Sequence, residues 1–172
     1  MEKSSIKKLA ISGMLTALVF IVTKFAGFTA PFGYFNLGDS VVMAGAILFG
    51  GKIGFIAGAF GSALSDALTP GFLIYAPITF FVKGLEGYIV GLIASRKNES
   101  SLMRITAVIA GACVMIAGYF IGGAFVLSAV DKNFGLAYAV NELVSTNLLQ
   151  GAICAAIGYI LSTLLLKSKF RW

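Results

Sequence analysis

An all-α integral membrane protein of six transmembrane helices, with both termini cytoplasmic, is the fold the sequence predicts, and three observations predict it. Of 172 residues 59% are hydrophobic and only 12% charged, against roughly a quarter charged in an ordinary soluble domain. The mean hydropathy of +0.96 means more apolar surface than a soluble core can hide. The charges are segregated: ten of thirteen Lys and Arg residues fall in short segments between or beyond the apolar runs. That distribution places the net charge of +6 at a membrane surface, so no nucleic-acid partner is expected.

The whole chain, 1–172, reads as one membrane domain. The first helix is expected at 8–27, after Lys7 and Lys8. It resembles a signal-peptide core, but equally apolar runs follow it, so it is taken as a span. Ala10, Gly13 and Ala17 form a stripe of small residues on it, suited to close helix contact inside the chain or with a partner subunit. The segment Asp39 to Leu68 would extend roughly 45 Å as one helix, well beyond a hydrocarbon core of about 30 Å. It is therefore divided at Gly50-Gly51-Lys52 into helices 39–49 and 52–68, two flexible residues and a charge supplying the break. Gly54, Gly58 and Ser62 make a second small-residue stripe. The remaining helices are expected at 77–95, 104–127 and 141–166.

Six spans put Lys3, Lys7, Lys8, Lys52, Arg96, Lys97, Arg104, Lys167, Lys169 and Arg171 on one side, as the positive-inside rule requires. Five spans would leave the basic C-terminus outside. Trp172 is then expected at an interface. Cys113 and Cys154 sit within apolar runs, where a thiol acts as a small hydrophobe.

Catalytic chemistry is not visible. The chain has no histidine, which removes most metal sites and any Ser-His or Cys-His nucleophile. No phosphate-binding loop exists, since Gly51-Lys52 is followed by Ile53 and Ala46 stands where the earlier glycine belongs. No cofactor, no metal and no enzymatic activity are expected.

The candidate site residues lie toward the outer half of the spans. Lys83 and Glu86 fall three residues apart within the fourth helix, where one charge costs about 2.5–3.5 kcal/mol. They should face a cavity, or pair with each other or with Asp66. Asp39 and Ser40 could cap a helix, and Asn141 and Glu142 could complete the start of the last one. Asn147, deeper in, needs a ligand or an interhelical partner for its amide. Aromatics gather on the same side: Phe72, Tyr75, Phe134 and Tyr138 read as interface anchors. Ala30-Pro31-Phe32-Gly33-Tyr34-Phe35-Asn36 reads instead as a lid over a flat heterocycle.

Taken together, Tyr34-Phe35-Asn36-Leu37-Gly38-Asp39, the glycine-rich hairpin through Gly50-Gly51 and Gly58 to Asp66, Tyr75-Ala76-Pro77 and Lys83-Gly84-Leu85-Glu86-Gly87 resemble the substrate-binding S component of energy-coupling factor (ECF) vitamin transporters. The similarity is to the group of riboflavin, hydroxymethylpyrimidine and pyridoxine binders. It rests on motifs over residues 1 to about 95, and beyond that on hydropathy and length. The resemblance implies a multi-pass subunit of a bacterial plasma membrane that captures a small B-vitamin or precursor. Pyridoxine or hydroxymethylpyrimidine is favoured, with riboflavin possible. It further implies a transmembrane T component and two ABC ATPases as partners, docked through Ala10, Gly13 and Ala17, and substrate contacts at Tyr34, Asn36, Asp39, Lys83, Glu86, Asn141 and Asn147. Two other classes stay open on sequence: an ion-coupled secondary transporter using Asp66, Lys83 and Glu86 as a relay, and a structural membrane protein whose charges only staple helices.

Overall fold

The computed structural model describes residues 3–94 and 100–168. Arg96, Lys97, Lys169, Arg171 and Trp172, the side chain of Lys3 and the last residue of the expected fourth helix lie outside them. Helix α1 spans Lys3–Phe25. A two-stranded antiparallel hairpin follows, β1 Gly27–Thr29 and β2 Tyr34–Asn36, with Phe28 opposite Phe35. Then come α2 Gly38–Phe49, α3 Gly51–Ala67, α4 Ala76–Ala94 and α5 Ser101–Ile121. Helix α5 runs on through a π turn at Gly122–Val126 and a short 3-10 turn to Ala129. Helix α6 is continuous over Leu136–Lys167 and contains a second π turn at Leu143–Asn147.

The protein is predominantly helical, and α1, α4, α5 and α6 are long and apolar enough to cross a membrane. Its surface is apolar: Leu9, Met14, Phe25, Phe60, Phe81 and Leu102 are among many large hydrophobics left exposed. Such a surface is stable only against lipid or a partner.

Helix α2 is short because it is central. It contacts α1, α3, α4, α5 and α6, and nine of its twelve residues are buried. Met43, Ala46, Val90, Ala94, Ala107 and Val108 form one apolar cluster, and Leu15, Val19, Val42 and Ala57 another. Gly50, at φ 91°, turns the chain between α2 and α3. The most extensive helix pair is α3 with α4, and glycine explains it. Gly54 packs where an added Cβ would lie 2.7 Å from the Gly87 carbonyl, and Gly58 sits against the main chain of Lys83. Without side chains the two backbones approach closely, which is how helices associate in lipid.

The first helix starts at Lys3 and the fifth at Ser101, earlier than expected, and two further shifts bear on the site. The last helix begins at Leu136, five residues before Asn141, because Gly135 at φ 138° breaks the chain there. Asn141 and Glu142 are thus in its second turn and do not complete its start. The second helix begins at Gly38 with no side-chain cap, so Asp39 is free to point inward. Ser40 Oγ donates to the Leu37 carbonyl at 2.6 Å.

Candidate functional site

Four acids and one base are buried among the described residues: Asp39, Asp66, Glu86 and Glu142 against Lys83. Lys83 is 1% exposed. It bonds the Asp39 carboxylate and lies 3.8 Å from Glu86, with its ammonium 5.1 Å from the centre of the Tyr119 ring. A lone ion at this depth would be strongly unfavourable, and pairing plus a cation–π contact offsets the desolvation. The expected partner Asp66 is engaged elsewhere. It accepts from Thr79 Oγ1 at 2.5 Å, and Thr79 in turn meets Tyr119 Oη at 2.9 Å.

From Asp39 the network crosses to α6 and to the hairpin. Gln150 Nε2 donates to Asp39 Oδ2 at 2.8 Å, while its Oε1 accepts from the Asn36 amide at 2.9 Å. Asn36 Oδ1 accepts from Gly38 N at 2.9 Å, and Cys154 Sγ donates to the Asn36 carbonyl at 3.4 Å. Cys154 therefore does more than fill space: it helps hold β2 onto α6.

Above this floor lies a narrow recess with about 20 Å³ of free interior, room for roughly one water. Asp66, Tyr119, Asn36 and Gln150 form its lower wall, and Glu142 and Asn147 line it from α6. Tyr34, Phe72 and Tyr75 close it from the hairpin and from the segment before α4. The π turn at Leu143–Asn147 matters here, because it widens the helix so that Thr146 and Asn147 are both buried. Such bulges recur at functional sites for this reason.

The roof is a chain of rings: Phe32 with Tyr138, Tyr138 with Phe134, Phe134 with Tyr75, Tyr75 with Phe72 and Phe72 with Tyr34, all with centroids 4.8–5.8 Å apart. Tyr75 and Tyr138 share a hydroxyl–hydroxyl bond of 2.7 Å, and Tyr75 also lies within hydrogen-bond reach of Glu142. Thr146 Oγ1 donates to the Phe32 carbonyl at 2.5 Å, tying the hairpin tip to α6. The Tyr34 hydroxyl reaches the carbonyls of Thr23 and Lys24 at 3.2 Å. Burial, with Asp66 nearby, pushes its phenol above the ordinary range, so it stays a neutral donor. Gly33 turns the hairpin at φ 82°, and an added Cβ would come within 2.5 Å of Glu142 Oε1.

Of the residues singled out in the sequence, Tyr34, Asn36 and Asn147 line the recess. Asp39, Lys83 and Glu86 sit beneath it and are engaged with one another. Asn141 is exposed and donates to the Ala137 carbonyl at 2.9 Å, so it faces away from the recess. Glu142, Gln150, Tyr119 and Phe72 were not named as site residues. For Gln150 and Tyr119 the sequence carried a signal, a polar or phenolic group amid an apolar run. For Glu142 an adjacent acid and amide competed, and only the helix phase chooses between them. Phe72, Tyr75, Phe134 and Tyr138 pack on one another over the recess, where anchoring at an interface was expected. Ala10, Gly13 and Ala17 lie exposed on α1, with no heavy atom within 4 Å of a Cβ built on Gly13.

A helical, lipid-facing body around one polar, ring-roofed recess defines a membrane-embedded small-molecule binding protein. The ECF-type riboflavin transporter S component model matches residues 3–168, and the chain belongs to that family. It is 37% identical over 130 residues to an uncharacterized protein of Pyrococcus woesei, covering 75% of this chain and 82% of that one. It is 32% identical over 126 residues to the thiamine precursor transporter HmpT of Lactococcus lactis, covering 72% of this chain and 70% of that protein. S components are membrane-embedded transport subunits that bind substrate and catalyse no reaction, and so is this chain.

Proposed function

We propose that this chain captures a small B-vitamin or vitamin precursor at the outer face of the cell membrane, for import by an ECF-type ABC transporter. Hydroxymethylpyrimidine is the first candidate, pyridoxine the second and riboflavin the third. The observation that carries the reading is the recess itself, with a polar floor and a roof of aromatic rings suited to stack on a flat heterocycle. In this closed form its free interior is only about 20 Å³, so the ring roof must part to admit a ligand. The name of the Lactococcus relative, a thiamine precursor transporter, supports the first candidate.

In this reading all six helices cross the membrane, with both ends in the cytoplasm. The central position of α2 allows it to be short, since protein surrounds it. Tyr34, Asn36 and Asn147 touch the ligand, while Asp39, Lys83 and Glu86 hold the floor rigid. The exposed face of α1 around Ala10, Gly13 and Ala17 receives a transmembrane T component, and two ATPases bound to that component supply the energy.

The test is to purify the protein from membranes and identify co-bound small molecules by mass spectrometry. One bound vitamin-class heterocycle per chain is expected. A ligand-free protein that takes up such compounds into liposomes on an ion gradient, with no ATPase present, would overturn the reading in favour of secondary transport.

A further inference from the structure

Two buried polar atoms facing the recess make no hydrogen bond to protein: Glu142 Oε2, whose neighbour Tyr75 gives its hydroxyl proton to Tyr138, and Asn147 Nδ2. Their residues are 3% and 4% exposed, so bulk water does not satisfy them. A buried acceptor or donor left alone is unfavourable by about 1–3 kcal/mol, and more when charged, so each awaits a ligand group. The first is an acceptor and the second a donor, on one wall of one recess.

Charge narrows the choice further. Among the described residues no basic side chain lines the recess, whereas Asp66 and Glu142 both do. Lys83, the one buried base among them, is committed to Asp39 and Glu86 on the floor. An anionic ligand would meet two carboxyl groups, while the nearest ammoniums, Lys83 and Lys24, are already engaged by protein oxygens, in a setting where repulsion is poorly screened.

We infer that Glu142 and Asn147 are the specificity-determining pair of this recess, selecting a non-phosphorylated heterocycle that presents an N–H donor to Glu142 and a ring acceptor to Asn147. The inference rests on the capture reading above and refines it. The amidine edge of a 4-aminopyrimidine carries a donor and an acceptor side by side. A 4-oxopyrimidine carries an acceptor where the amine was, and confronts the Glu142 oxygen with a second acceptor. A phosphate ester of the same alcohol brings negative charge against Asp66 and Glu142.

The experiment is calorimetric titration of the full chain in lipid nanodiscs with three probes: 4-amino-5-hydroxymethyl-2-methylpyrimidine, its 4-oxo analogue and its phosphate monoester. The wild type is expected to bind the amine at least about tenfold more tightly than either of the others. Glu142→Gln can turn an amide N–H toward the ligand, so it should weaken the amine about tenfold and strengthen the 4-oxo analogue. A loss of packing alone would weaken both. Asn147→Leu, of similar size, is expected to weaken the amine by about tenfold without restoring the 4-oxo analogue. Size-exclusion profiles and thermal melts of each variant establish that it is folded. A wild type that binds the amine while Glu142→Gln keeps the same preference overturns the inference and leaves capture standing. Equal or tighter binding of the phosphate ester also overturns it. A folded wild type that binds none of the three probes overturns the inference and counts against the capture reading as well.

Discussion

Replacing Lys83 by Met should destabilise the protein far more than it alters the chemistry of the recess. The lysine is 1% exposed, and its partners Asp39 and Glu86 are both fully buried. Met fills similar volume, so the packing of α3 against the α4 backbone at Gly58 is retained. The charge is not replaced. Asp39 keeps only the Gln150 amide as a side-chain donor, and Glu86, 3.8 Å from the ammonium, loses its only neighbouring cation among the described residues. Breaking a buried pair by removing one partner costs about 3–5 kcal/mol. Glu86 makes no hydrogen bond to the ammonium, so the lower end, about 3 kcal/mol, is expected. In a chain of this size that is a fall in Tm of roughly 2–4 °C per kcal/mol. Asp39→Asn should cost a comparable amount, and the double variant less than the sum, with a coupling of about 1–3 kcal/mol. Thermal unfolding in one detergent gives all four values, and ligand titration of each variant well below its Tm reports the recess separately. A Lys83→Met protein with wild-type Tm but no ligand affinity would refute the reasoning, because the ammonium would then be reaching ligand and not protein.

Three further outcomes are expected. Tyr138→Phe removes the 2.7 Å bond to Tyr75 that closes the ring roof; at about 1 kcal/mol for a neutral hydrogen bond, stopped-flow measurement should show ligand release accelerated roughly fivefold. Gly33→Val combines a φ of 82° with a Cβ driven against Glu142, so titration should show affinity lowered by an order of magnitude or more, with little change in the far-UV circular dichroism of the helices. Gly13→Trp projects into open space, so it should leave ligand binding intact while abolishing co-purification with the proposed T component and ATPases.

Much of this architecture was legible in the sequence, and the reasons are physical. Lipid demands long apolar helices, and α1, α4, α5 and α6 announce themselves by composition alone. Gly50 could be read as the turn between α2 and α3 because a glycine pair beside a lysine has few other uses in an apolar stretch. The polarity of the interior was visible too, since Lys83 and Glu86 have no place in hydrocarbon. Their pairing was not visible. Asp39 lies 44 residues from Lys83, and only the packing of α2 inside the bundle makes it a nearer partner than Asp66. Helix phase was the other blind spot. An unbroken α-helix and one carrying a π turn direct Asn141, Glu142 and Asn147 differently, and nothing in Leu143–Asn147 marks the wider turn. The hairpin strands were too short to register as strands, although the aromatic and glycine content of that loop did set it apart from the helices.

Titration of the purified chain in nanodiscs, without nucleotide or any partner subunit, with the hydroxymethyl-aminopyrimidine as ligand is the most direct measurement. Saturable 1:1 binding that disappears when the Asn147 and Glu142 side chains are replaced together would place capture in the recess of this subunit alone. Binding that survives the double replacement unchanged, or that appears only once ATPases and their membrane partner are added, would contradict it.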